Sequence, residues 1–103
     1  MTWYTYVVNN SSVGVIIDFS DGPLNVEIAP GDQASDEYLN ETQKDKAIKV
    51  TVEGVSKTFT VGGNRSALLV NGEGSNNKVL EVYRSVYGEL ETKEELLGYI
   101  IYG

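Results

Sequence analysis

No cysteine and no histidine occur among the 103 residues of this chain. The first absence excludes disulfides, thiol nucleophiles and thiolate metal sites together, and it fits a reducing compartment. The second removes the commonest general base and the commonest transition-metal ligand. No apolar run approaches the roughly 20 residues that a helix needs to cross a bilayer. The N-terminus lacks a basic region followed by a long apolar one, so no secretory signal is expected, and the setting is cytoplasmic or a virion. Positive charge is scarce: 8 Lys and Arg stand against 15 Asp and Glu, a net charge of −7. Such a surface is solubilising, and it repels phosphate backbones and anionic membranes, so neither nucleic acid nor membrane is an expected partner.

What is there suffices for one folded domain spanning residues 1–103. Hydrophobic residues make up 41% and charged residues 22% of the chain, which is a globular balance. The clearest pattern runs from Ile48 to Val61. Ile48, Val50 and Val52 alternate with Lys49 and Thr51, a period of two that puts the first three on one sheet face. Glu53-Gly54 can close a two-residue turn, because glycine adopts positive φ without steric cost. The predicted register sets Val52 against Val55, Val50 against Lys57 and Ile48 against Phe59. A slip of one residue would mix the faces, so this register is well specified. Lys57, alone among apolar neighbours, predicts a sheet edge where its ammonium reaches water.

The remainder reads as further strands and turns. Thr2 to Val8 is rich in Trp, Tyr, Thr and Val and is apolar on both faces. With Val13 to Phe19 it is expected to form an N-terminal hairpin through Asn9 to Ser12. Leu24, Val26 and Ile28 predict a third strand, and Ala29-Pro30-Gly31-Asp32 suits a type II turn. Residues 33–46 are predicted as a polar connection with at most one helical turn. Ala67 to Val70 is apolar throughout, as in a strand covered on both faces. Lys78 to Tyr87 predicts the longest strand. Thr92-Lys93-Glu94-Glu95 matches a capping box and predicts one helical turn ending at Gly98, followed by a last strand from Tyr99 to Tyr102.

This makes about seven or eight short strands separated by Gly, Asn and Pro turns. The expected fold is all-β: a small antiparallel β-sandwich, immunoglobulin-like or jelly-roll-like in plan. No cysteine pair or matching tryptophan spacing ties it to a particular family.

Candidate chemistry is sparse, and no catalytic, cofactor or metal residue is assigned. Only an oxygen-ligand ion such as Ca²⁺ could bind. Asn71, Glu73, Ser75 and Asn77 alternate like calcium-loop ligands, but the sixth position is Asn76 rather than glycine and the twelfth is Val82 rather than glutamate. A solvated turn explains them better. Asp18, Asp21, Asp32, Asp36 and Glu37 form a second acidic group near turns. Gly62-Gly63-Asn64-Arg65-Ser66 lacks the lysine and the helix of a phosphate loop. No histidine can activate the serines and threonines, so an enzyme is not expected.

Aromatics are the one biased feature. Trp3, Tyr4 and Tyr6 stand near one end and Tyr83, Tyr87, Tyr99 and Tyr102 near the other. Such rings either cover the domain's own sheets or form an interface, because they join large area to a polar tip. Trp3, Tyr4, Tyr6, Tyr99 and Tyr102 are the candidate interface residues. The expected function is therefore a structural or interaction module, binding a protein partner or its own copies, as a virion decoration or cement protein does. Two alternatives stand beside it: an acidic inhibitor that mimics nucleic acid in a basic groove, and a calcium-dependent binding module.

Overall fold

The computed structural model describes residues 2–19, 22–39, 46–61, 66–72, 78–86 and 95–103. Nine strands follow in order: β1 (Thr2–Asn10), β2 (Val15–Phe19), β3 (Val26–Ile28), β4 (Gln33–Leu39), β5 (Lys46–Val52), β6 (Val55–Val61), β7 (Ser66–Asn71), β8 (Val79–Val86) and β9 (Glu95–Ile101). They form a five-stranded sheet in the order β4-β1-β7-β8-β9 and a four-stranded sheet in the order β3-β2-β5-β6. No helix occurs among the described residues. The all-β sandwich expected from the strand pattern is the observed architecture.

The β5–β6 hairpin has the register its alternation dictates. Val52 pairs with Val55, Val50 with Lys57 and Ile48 with Phe59. Glu53 and Gly54 both take left-handed φ, 47° and 84°, as a type I′ turn requires. Ile48, Val50 and Val52 are fully buried, while Thr51 on the other face shares a 2.7 Å hydrogen bond with the Ser56 hydroxyl. β6 is an edge strand, and Lys57 is exposed there as its isolation among apolar residues implied. The type II turn also forms: the Asp32 amide donates to the Ala29 carbonyl at 3.0 Å, and Gly31 has φ 82°.

Between the sheets lies the core. Val7, Ile17, Phe19, Ile48, Val50, Leu68, Val82 and Ile100 are each at most 1% exposed. β7 is the middle strand of its sheet, and Ala67 to Val70 are all buried, as a run covered on both faces should be.

Several expectations are corrected. β1 and β2 do not pair as a hairpin: they lie in different sheets, and β1 joins β4 antiparallel and β7 parallel. A strand flanked on both sides can be apolar on both faces, which accounts for its composition without a hairpin. The five-stranded sheet is therefore mixed, not purely antiparallel. The chain crosses between sheets after β1 at Asn9, whose buried side-chain amide donates to the Val13 carbonyl at 2.7 Å and the Ile28 carbonyl at 3.0 Å. Its backbone also holds the type II turn, accepting from the Gly31 amide at 2.8 Å and donating to the Asp32 carbonyl at 2.9 Å.

Gln33–Leu39 is a strand rather than a loop, because pairing with β1 supplies the hydrogen bonds that its polar sequence does not advertise. Its Asp36 carboxylate meets Lys46 of β5 at 2.9 Å, with side chains 11% and 7% exposed, so an ion pair bridges the two sheets. A Cβ at Gly22 would collide with that carboxylate. β2 begins at Val15 and β3 at Val26, each two residues later than predicted. Glu95 to Leu97 belong to β9 rather than to a helical turn, since pairing with β8 overrides local capping propensity; Thr92 to Glu94 lie outside the described residues.

One pair of variants tests the hairpin. Val52→Asp places a carboxylate in the dry layer and should cost on the order of 3 kcal/mol or more, enough to unfold much of a domain this small. Thr51→Asp, on the wet face, should cost less than about 1 kcal/mol. Denaturant melts of the two variants check this, and equal midpoints would contradict the buried register.

Candidate interaction surface

Alternation gives each sheet one face toward the core and one away from it. The two outward faces differ. On the four-stranded sheet the outward residues include Glu27, Asp18, Lys49, Thr51, Ser56, Thr58 and Thr60, with Ile16 and Ala47 apolar among them. The Asp18 carboxylate accepts from the Asn25 amide at 2.6 Å and lies opposite Lys49. That face is an ordinary solvated one.

The outward face of the five-stranded sheet is largely apolar and aromatic away from its β4 edge, where Gln33 and Ser35 are polar and exposed. Cross-strand register makes one row of Gln33, Val8, Leu69, Tyr83 and Leu96 across all five strands. The next row sets Tyr6 beside Ala67, and Ala67 and Leu69 are buried, at 0% and 3% exposure, although they face away from the core. Tyr6 and Tyr83 are half-buried beside them. The rest of the apolar surface runs along β9, where Leu96, Tyr99 and Ile101 are 42%, 46% and 69% exposed. A bulge at Leu97 puts Leu96 on this face next to Tyr83.

On this face the Glu81 carboxylate accepts from the Tyr83 hydroxyl at 2.9 Å. That hydrogen bond, with partial burial, the Glu81 charge and nearby Tyr99, pushes the Tyr83 phenol above its ordinary pKa of 10.0, so the ring stays neutral at physiological pH. The free edge of β9 is blunted. Lys57 reaches over from β6 and its ammonium donates to the Tyr99 carbonyl at 3.2 Å, occupying an acceptor that an added strand would need.

The sequence candidates divide. Tyr99 and Tyr6 stand on this face. Tyr102 does not: its ring is 1% exposed in the core, with the Lys78 ammonium 5.4 Å from the ring centroid. It is corrected from interface to core residue, because alternation along β9 turns Ile100 and Tyr102 inward and Tyr99 and Ile101 outward. Trp3 and Tyr4 lie in β1, paired with Tyr38 and Glu37, and their side chains lie outside the described residues. Sequence reasoning missed Val8, Tyr83, Leu96 and Ile101. The apolar run from Tyr99 to Tyr102 carried the signal for Ile101, whereas Leu96 was hidden in the predicted helical turn.

Among the described residues no group of three or more acidic side chains is placed to hold a metal ion. Asn71, from the calcium-like loop, accepts from the Asn10 amide at 2.9 Å; Glu73 to Asn77 lie outside the described residues. A shallow groove along β2 and β3 carries Glu27 and Asp32 but no nucleophile or cation.

The Tyr102 hydroxyl is buried and has no hydrogen-bond partner among the described residues. Tyr102→Phe should therefore leave stability within about 1 kcal/mol or raise it. Tyr102→Ser should cost roughly 3–5 kcal/mol through the cavity it leaves. Thermal melts of both variants test this assignment, and a Phe variant as damaged as the Ser variant would refute it. Compared with known proteins, the chain matches no family model, no curated protein and no solved structure.

Proposed function

We propose that this chain is a non-enzymatic assembly module that docks through the outward face of its five-stranded sheet. The observation that carries the reading is the contrast between the two outward faces. One is polar, while the other exposes Leu96, Tyr99 and Ile101 beside Tyr6, Val8 and Tyr83. Contiguous apolar surface of a few hundred Å² or more on a small domain marks an interaction site. Tyrosines there supply area with little entropy loss, and their hydroxyls keep the face wettable when it is free. A small cement or decoration subunit of a shell is a setting that such a module fits.

The acidic-mimic reading has less support. A mimic needs carboxylates in a regular, unengaged array. Here Asp36 is paired with Lys46, Glu95 lies 3.2 Å from Arg84, and Asp18 holds the Asn25 amide. The net charge of −7 serves solubility, which a domain with one apolar face requires.

Site-specific photo-crosslinking in the cells that make the protein tests the docking face. A benzophenone side chain at position 101 should give covalent adducts, and one at position 49 on the opposite face should not. Tyr99→Ser should lower the yield from position 101 several-fold while leaving the melting temperature close to that of the parent. Adducts from position 49 alone would reject this face.

A further inference from the structure

We propose that Lys46 and Asp36 join their side chains in an amide, an intramolecular isopeptide bond that ties the two sheets together covalently. The inference is independent of the docking face.

The pair is unusual first for where it stands. Lysine and aspartate are seldom fully buried, yet these side chains are 7% and 11% exposed. Burying two charges costs more hydration than their attraction returns unless the geometry is excellent, so stability alone does not explain the pair. The contact is close without being an aligned hydrogen bond. Nζ lies 2.9 Å from Oδ2, but that oxygen accepts no hydrogen bond among the described residues. The amine is pressed against the carboxyl group itself. Two other ion pairs show the contrast. Lys78 and Glu53 are 3.9 Å apart with side chains 43% and 56% exposed, and Arg84 beside Glu95 is exposed and carries a guanidinium rather than an amine.

Both side chains are held in place. Asp36 belongs to β4, and its register partner on β1, Thr5, is buried. The chain at Gly22 passes so close that a Cβ there would lie 2.9 Å from the Asp36 Cγ. Lys46 opens β5 opposite Val61 of β6, itself 2% exposed. β4 and β5 lie in different sheets, so the contact lasts as long as the sandwich stays closed.

That placement supplies what an amine and a carboxylic acid lack in water. Away from water, passing one proton from the ammonium to the carboxylate leaves a neutral amine beside a neutral acid and relieves two buried charges. The Nζ lone pair then attacks Cγ. A C–N bond forms, a C–O bond breaks, and the oxygen leaves as water with two of the three ammonium protons. The third proton stays on the amide. Nothing is oxidised or reduced, and no co-reactant is needed. Contact between fixed groups gives the high effective concentration that drives intramolecular reactions. The product is uncharged, so the desolvation cost of the ion pair disappears.

Mass spectrometry of the purified full chain, unfolded after a long incubation in its folded form, tests this. The chain should weigh one water less than its sequence requires. Trypsin should leave residues 45–49 attached to residues 1–44, because Lys44 stays cleavable while Lys46 is blocked. Lys46→Arg keeps a cation beside Asp36 but offers no such amine, so it should show the full mass, as should Asp36→Ala. The parent mass is read without asking any variant to fold. A parent chain at its full mass overturns the proposal. So does a loss of water that persists in Lys46→Arg, or one that maps to other residues, such as a cyclised aspartate.

Discussion

The dry layer between the two sheets is the constraint on which the rest of the molecule depends. Each strand contributes every second residue to it, so its apolar composition sets the register of every strand that borders it. Val7 and Leu68 from one sheet meet Ile17, Ile48 and Val50 from the other in one continuous cluster. A small domain has little apolar burial to offset its conformational entropy, so each of these positions carries a large share of the stability. Backbone hydrogen bonds then follow, because groups taken out of water with these side chains must pair with a neighbouring strand.

Among the described residues, Asn9 and the Lys46–Asp36 pair bring polar groups to the margins of the layer with partners in place. Asn9 sits where the chain leaves one sheet for the other, and its buried amide serves carbonyls from two segments. Lys46 and Asp36 join the sheets at 2.9 Å. A buried ion pair adds little net stability, but removing one partner strands the other charge, so it acts as a specificity device for how the sheets are joined. At the opposite seam Lys57 spans from β6 to β9. A Cβ on Gly98 would lie 3.2 Å from its ammonium and 3.3 Å from the Phe59 ring, so that approach is tight.

These margins shape the outer surface. The Lys57 contact protects β9 from strand addition, which would otherwise make an apolar edge strand a hazard. With its edge guarded, β9 can carry Leu96, Tyr99 and Ile101 on the outward face. The sandwich thereby separates two outer surfaces, one polar and one richer in apolar side chains. The thickness of the molecule lies between that second surface and Asp18, Glu27 and Lys49.

Local chemistry was legible in the sequence wherever neighbours in the chain are neighbours in space. The β5–β6 register follows from alternation and the Glu53-Gly54 turn, and the type II turn follows from Pro30 and Gly31. Ala67 to Val70 announced a central strand because a position covered on both faces tolerates no polar residue. The aromatic bias drew attention to β1 and β9, where Tyr6 and Tyr99 lie on the outward face while Tyr102 is in the core. Alternation reports that a residue sees two environments, but not which strand supplies each. Only the tertiary structure could decide that β1 lies beside β7, about 60 residues away, instead of folding back on β2. It alone could make a strand of Gln33–Leu39, whose partner is elsewhere in the chain. Between Tyr99 and Tyr102, chemically the same side chain, the choice of surface or core rests on where β9 meets β8 and where a single bulge falls, and no local preference encodes that.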